Sequence, residues 1–189
     1  LRNQGRPIVP ANGTAGAAAA PQPGLGSWLQ HERIGWNFRL DEMSAALGAA
    51  QMSRLDEIIE GRQRVAELYT NRLLGNSDLI TPTIEPDTTM SWFVYVVRLS
   101  DRFTADDRNM IIDGLRRHDI GAADYFPPVH LMPPYRELLG HRPGDFPAAE
   151  SVAERTLALP FHTQLTDRDI DLVCQTLSLM ITRVTFARD

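Results

Sequence analysis

The sequence lacks lysine altogether, since all 19 of its strongly basic residues are arginine. No residue of this chain can therefore form a lysine Schiff base. The sequence also has only one cysteine, Cys174. A single cysteine excludes an internal disulfide and fits a reducing, cytoplasmic location.

Two further absences limit the partners of the protein. No apolar run approaches the roughly 20 residues needed to cross a membrane, so we expect no membrane partner. The formal net charge is −5, whereas general affinity for nucleic acids needs a basic face. We therefore expect no nucleic-acid partner. With 43 % apolar residues, the chain has enough material for a hydrophobic core.

Several catalytic motifs are also missing from the sequence. It has no Gly-x-Ser-x-Gly elbow, no phosphate-binding loop with Gly-Lys-Ser/Thr and no His-Glu-x-x-His helix. A self-contained hydrolase, nucleotide hydrolase or metalloprotease is not expected. The five histidines do not have the spacing of zinc ligands, so no metal site is expected; they are His31, His118, His130, His141 and His162.

The longest periodic pattern predicts a helix from about residue 40 to residue 74, ended by Gly75. Its apolar residues recur at sums of three and four, and they are Met43, Leu47, Leu55, Ile58, Ile59, Val65, Ala66, Tyr69 and Leu73. Such a helix would span about 50 Å. This length predicts a helix that connects two bodies, residues 1–39 and residues 76–189.

The stretch before this helix predicts an anion site. Trp36, Asn37 and Arg39 precede the first turn, where free backbone N–H groups favour phosphate above all. The alternative is an ordinary turn in which Asn37 bonds the backbone and Arg39 pairs with an acidic neighbour. Residues 7–27 are rich in Ala, Gly and Pro and are typical of an irregular loop.

The part of the chain after Gly75 predicts a small sheet covered by helices. We expect a central strand at residues 91–99 and short strands at 120–126 and 157–161. The predicted helices begin after Thr104, near Pro134, at Phe146-Pro147 and after Thr166. The helix after Phe146 is expected to turn Ala149, Val152, Ala153 and Leu157 inward. The fold class is α/β, or α+β for this part as an isolated piece.

A second cluster of interest is the stretch from Tyr125 to His130, with Tyr135 nearby. Two stiff prolines, Pro127 and Pro128, carry an aromatic residue and a histidine. This pattern fits the wall of a ligand cleft and fits a packed connection equally well.

Several motifs together resemble the DegT/DnrJ/EryC1/StrS aminotransferase family. The resemblance is carried by residues 34–43 (IGWNFRLDEM), by Tyr125 to Tyr135 with Pro128, His130 and Leu131, and by Phe146-Pro147-Ala148-Ala149-Glu150, Leu159-Pro160 and Leu165-Thr166. The opening Leu1-Arg2-Asn3-Gln4-Gly5-Arg6 is similar to the segment that follows the family's cofactor lysine. The motifs occur in the family's order over nearly the whole chain except residues 7–27.

This resemblance implies the C-terminal part of a pyridoxal 5′-phosphate (PLP) enzyme of fold type I. Residues 1–39 would end the large PLP-binding domain, 40–75 would form the connecting helix, and 76–189 would form the small C-terminal domain with a short, mainly antiparallel sheet. The Schiff-base lysine would lie upstream of Leu1, in a half that is missing here. The enzyme would be a cytoplasmic homodimer with a shared active site.

The resemblance also implies roles for individual residues. Asn37 would reach the cofactor phosphate of the neighbouring subunit, with Arg39 and Trp36 beside it. Arg39 would also hold a substrate or donor anion, while Tyr125 and His130 would line the sugar-nucleotide side. The implied reaction transfers an amino group from glutamate to a nucleotide-linked keto sugar.

Two alternatives remain open from the sequence. One is a PLP-dependent sugar dehydratase, in which histidine replaces the lysine. The other is a non-catalytic dimerising or regulatory module of the same fold, which the absence of lysine in this chain suggests. No residue of the chain separates these alternatives.

Overall fold

The structure, a computed structural model, describes residues 40–187. The chain divides into two compact units, residues 1–54 and residues 55–189. The first is described only from Leu40 onward, where it contains helix α1, Glu42–Met52. The side chain of Asp41 caps α1 by accepting from the Ser44 backbone N–H at 2.9 Å.

The single helix predicted for residues 40–74 is wrong in one respect, because it is interrupted at residues 53–54. The second helix, α2, spans Leu55–Leu73. The Arg54 N–H donates to the carbonyl of Gln51, three residues back, and the Ser53 hydroxyl donates to the Ala50 carbonyl. These bonds replace the helical ladder and end α1. Gly75 follows α2 with φ of 84°, as its position predicts.

The second unit contains a four-stranded antiparallel sheet. Its strands are β1 Leu79–Ile80, β2 Tyr95–Leu99, β3 Ala123–Asp124 and β4 Thr156–Leu159. Their order across the sheet is β1-β2-β4-β3, which confirms the central position predicted for β2. Tyr95 pairs with Leu159, and Ala123 pairs with Ala158 on the other side of β4.

All three predicted strands are shorter than the sequence predicts, and β4 ends at Leu159 instead of residue 161. The start of the predicted segment 91–99 is held by α2 instead of the sheet. The backbone carbonyl of Trp92 accepts a hydrogen bond from the Arg62 guanidinium at 3.0 Å, and the indole N–H of Trp92 donates to the side-chain oxygen of Gln63 at 2.9 Å. Within the predicted segment 120–126, only β3 pairs with β4.

The helices that follow α2 begin at their predicted positions. They are α3 Ala105–Arg117, α4 Pro133–Leu139, α5 Pro147–Ala153 and α6 Asp167–Phe186, with a 3₁₀ turn at Val129–Leu131. Both α3 and α6 begin with a capping box, formed by Thr104 with Asp107 and by Thr166 with Asp169. Gly140 closes α4 with φ of 71°.

The core lies between the sheet and helices α2, α3 and α6. Helix α6 packs against both α2 and α3, and its inward face is buried at Ile170, Val173, Leu177 and Met180. The single cysteine, Cys174, is buried on this helix. Helices α4 and α5 contain no buried residue, so the inward orientation predicted for Ala149, Val152 and Ala153 is wrong. Leu157, predicted with them, is buried, but it lies in β4.

We expect Gly114→Ala to lower the free energy of unfolding by about 1–3 kcal/mol, because α3 and α6 approach closely at this glycine. A Cβ at Gly114 would lie 2.3 Å from Sδ and 2.9 Å from Cγ of the buried Met180. Urea unfolding measures the change. Gly121→Ala is the control, since a Cβ there meets nothing within 4 Å. Equal stability of the two variants would contradict the close packing.

Candidate functional site

A groove with a volume of about 800 Å³ lies beside helix α5. One wall is the stretch from Tyr125 to His130. The other includes Phe146, Ala149 and Val152. The α5 residues that were expected in the core therefore form part of this groove.

The first wall is fixed to the sheet at its beginning. The hydroxyl of Thr156, in β4, donates to the Tyr125 carbonyl at 2.7 Å. The Tyr125 and Phe126 rings meet edge to face, 5.1 Å between centroids. After them Pro127 and Pro128 restrict the backbone to an extended path before the 3₁₀ turn that carries His130. Stiff residues thus present the aromatic side chains to the groove.

His130 joins the two walls. Its Nε2 is 3.0 Å from Oε1 of Glu150 on α5, and the two side chains are only 10 % and 19 % exposed. The His130 ring also contacts the Phe146 ring at 4.7 Å and the His141 ring at 6.0 Å between centroids. The histidine therefore has a fixed position between the walls.

Glu150 also organises the loop before α5. Both of its carboxylate oxygens accept from the Gly144 N–H at 2.9 Å, and Oε1 accepts from the Phe146 N–H at 3.3 Å. Gly144 has φ of 96°, a backbone conformation that residues other than glycine rarely adopt. The Gly144 N–H, together with the His130 side chain, holds the pKa of Glu150 below its ordinary value.

A second histidine of the groove lining, His141, also pairs with a carboxylate. His141 Nδ1 lies 3.4 Å from Asp145 Oδ2. The same carboxylate oxygen accepts from the Arg142 N–H at 2.9 Å, and this bond is the main cause that lowers the pKa of Asp145. Two histidine–carboxylate pairs thus lie around Phe146, whose ring contacts both histidine rings.

The groove is chemically suited to a neutral, ring-containing group. Its described lining contains no arginine, aspartate or glutamate, and most of it is aromatic or aliphatic. Phe126, Tyr135 and Phe146 are each more than 40 % exposed. An adjoining depression of about 460 Å³ shares His141 and adds Arg136 and Arg142. An anionic group attached to the ring would find its basic partners there.

We expect mild acid to weaken the loop between α4 and α5. Folding lowers the pKa of Glu150 from its ordinary value of 4.5, and it lowers that of Asp145 from 3.8. The stabilisation is complete above these ordinary values and is lost as the pH falls through the lower native ones. Unfolding in urea at pH 6 and pH 3 measures this. Glu150→Gln should lose less stability over this range than the wild type, and an equal loss would contradict the assignment.

The structure brings together two of the predicted site residues. Tyr125 and His130 both line the groove. Asn37, Arg39 and Trp36 lie outside the described residues. The sequence reasoning missed Glu150 as the partner of His130, and also His141, Phe146 and Thr156. The sequence does mark Glu150 in one way, because it is an acidic residue in the first turn of a helix that begins with Pro147.

Comparisons with known proteins identify the relatives of the chain. The model of the DegT/DnrJ/EryC1/StrS aminotransferase family matches residues 21–178. Spore coat polysaccharide biosynthesis protein SpsC of Bacillus subtilis is 31 % identical and aligns with 89 % of this chain and 44 % of its own length. GDP-perosamine synthase of Caulobacter vibrioides is 32 % identical over 78 % of this chain and 39 % of its own length. The chain thus spans less than half of these relatives.

Solved structures agree with the fold. Streptomyces venezuelae DesV, solved in complex with a ketimine intermediate, has a TM-score of 0.72 and 31 % identity over 80 % of this chain and 39 % of that chain. The putative sugar aminotransferase Spr1654 of Streptococcus pneumoniae, in its PMP form, has a TM-score of 0.81 over 97 % of this chain and 44 % of that one, at 23 % identity, and supports the fold alone.

The predicted fold class is therefore confirmed, and the relatives support PLP as the cofactor of the family. None of the helices described between residues 40 and 187 could span a lipid bilayer. Because the family model matches most of the chain and relatives above 30 % identity align with more than two thirds of it, the chain belongs to the DegT/DnrJ/EryC1/StrS aminotransferase family.

Proposed function

We propose that this chain is the C-terminal portion of a cytoplasmic PLP-dependent aminotransferase that transfers an amino group from glutamate to a nucleotide-linked keto sugar. The observation that carries the proposal is the groove itself. Tyr125 and His130, two residues of the predicted substrate loop, line one aromatic groove. Relatives named GDP-perosamine synthase and dTDP-3-amino-3,4,6-trideoxy-alpha-D-glucose transaminase support a nucleotide-sugar substrate.

The groove and its neighbour would divide the substrate between them. Aromatic faces at Phe126 and Phe146 suit stacking with a ring, and both are exposed. The diphosphate would lie toward Arg136 and Arg142 in the adjoining depression, since guanidinium groups pair well with phosphate oxygens. This arrangement keeps the charged part of the substrate out of the apolar groove.

The cofactor would depend on residues before α1. The chemistry of Asn37 and Arg39 fits a phosphate, since an amide and a guanidinium both donate N–H groups to it. The lysine that anchors the cofactor would lie outside this chain, which has none. When bound, PLP supplies the electron sink for amino transfer. Asn37 would serve the cofactor of the neighbouring subunit, so the active site would be shared by a homodimer.

The test uses the complete natural protein with PLP. We expect visible absorbance from bound cofactor, a change in that absorbance on adding glutamate, and formation of 2-oxoglutarate with dTDP-linked, GDP-linked or UDP-linked keto sugars. Loss of water from the sugar without amino transfer would indicate a dehydratase. No cofactor binding at all would indicate a non-catalytic module.

We expect Asn37→Ala in the complete protein to weaken PLP retention roughly tenfold, because one hydrogen bond to a charged phosphate is removed. Equilibrium dialysis against increasing PLP measures the effect. Asn71→Ala, at an exposed position on α2, is the matched control and should retain PLP like the wild type. Unchanged retention in Asn37→Ala would contradict the phosphate role.

A further inference from the structure

The two nitrogens of the His130 ring have different surroundings. Nε2 forms a hydrogen bond with the carboxylate of Glu150. Nδ1 has no hydrogen-bond partner among the residues that the structure describes, although His130 lines the groove. The contacts with Phe146 and His141 restrict rotation of the ring. One nitrogen is thus committed to the protein and the other remains available to a ligand.

The surroundings of Glu150 determine which nitrogen holds the proton. Its oxygens already accept from the Gly144 and Phe146 N–H groups, and these donors favour the ionised carboxylate. An ionised carboxylate can only accept hydrogen bonds. In a neutral His130 ring the proton must therefore lie on Nε2, which leaves a lone pair on Nδ1.

We propose that Glu150 is a positioning residue that keeps His130 in the Nε2–H form, so that Nδ1 accepts a hydrogen bond from an O–H or N–H group of the ligand. The identity of that ligand rests on the proposed function. A nucleotide sugar carries both kinds of donor, O–H groups on the sugar and N–H groups on the base. The groove would thus select for a donor at this point of the substrate.

The tautomer is measured on the complete natural protein by NMR of ¹⁵N-labelled histidine. The signals of His130 are those that disappear in His130→Gln. We expect a protonated Nε2 and an unprotonated Nδ1. In Glu150→Leu the pattern should change to a mixture, whereas Glu154→Gln, at an exposed site at the end of α5, should leave it unaltered. A proton on Nδ1, or on both nitrogens, overturns the proposal.

Binding is measured with His130→Phe, whose ring keeps the planar shape of the imidazole but offers no acceptor in place of Nδ1. Dissociation constants for dTDP-glucose and GDP-mannose are measured for the variant and for the wild type. We expect the variant to bind the ligand that the wild type prefers roughly tenfold more weakly than the wild type does. Affinity equal to wild type overturns the proposal, because a purely structural histidine would behave in that way.

A parallel titration with dTDP and GDP separates the two donors. If these lose affinity in His130→Phe to the same extent, the donor is on the nucleoside, either its base or its pentose; if only the sugar-bearing probe does, the donor is on the sugar. Wild-type protein that binds none of the four probes would refute the proposed function and the ligand part of this inference. The NMR result would still decide the role of Glu150.

Discussion

Replacing Tyr69 with alanine should lower the free energy of unfolding by about 3–5 kcal/mol, the largest stability effect expected in the described part of the chain. Tyr69 on α2 is fully buried. Its ring stacks on Tyr95 of β2 with centroids 5.0 Å apart, and its hydroxyl donates to the Pro160 carbonyl at 2.8 Å. One side chain therefore joins the helix, the central strand and the segment after β4.

Tyr69→Phe is the matched control, because it keeps the ring and removes only the hydroxyl. It leaves the Pro160 carbonyl without this donor, so we expect a loss of about 1 kcal/mol. Burial raises the pKa of Tyr69, consistent with a hydroxyl that stays protonated and donates. Urea unfolding of both variants separates packing from hydrogen bonding. A loss below 1 kcal/mol in Tyr69→Ala would contradict the structural importance of the ring.

This core is largely predictable from sequence because its signals are local. The helical spacing of Val65, Tyr69 and Leu73 marks the buried face of α2, and the aromatic and β-branched content of residues 95–99 marks the central strand. The interruption at residues 53–54 was not predictable from apolar spacing, since the pattern continues in phase across it. The change in backbone hydrogen bonding that ends α1 does not alter the spacing of the apolar residues.

The groove was only half predictable for a different reason. Tyr125 and His130 stand out because prolines separate them and stiffen the chain. Their partners come from elements distant in sequence, as Glu150 is 20 residues from His130. Glu150 meets His130 only because the loop at Gly144 turns α5 toward the 3₁₀ turn. The periodicity of a single sequence contains no information about such a long-range pairing. It also does not distinguish a face that lines a groove from a face that lies in the core, and it therefore places Ala149 and Val152 in the core.

Filling the groove should have the largest effect on function. We expect Ala149→Trp to weaken binding of the proposed nucleotide-sugar substrate by roughly 100-fold or more, which corresponds to a loss of about 2.7 kcal/mol of binding free energy. Ala149 lines the groove on α5 and is exposed there, so a large side chain can enter the space without disturbing a packed core. The change is measured as KM and as the dissociation constant for dTDP-glucose or GDP-mannose in the complete protein.

Leu138→Trp is the matched control, because Leu138 is 81 % exposed on α4 and is absent from the groove lining. It adds a similar aromatic surface outside the groove and should leave substrate binding unchanged. Both variants should unfold at urea concentrations close to that of the wild type, since neither replaces a buried residue. If Ala149→Trp bound substrate as tightly as Leu138→Trp, the substrate would have to lie elsewhere. The aromatic wall at Tyr125 and His130 would then be a packed connection, the alternative reading of that segment.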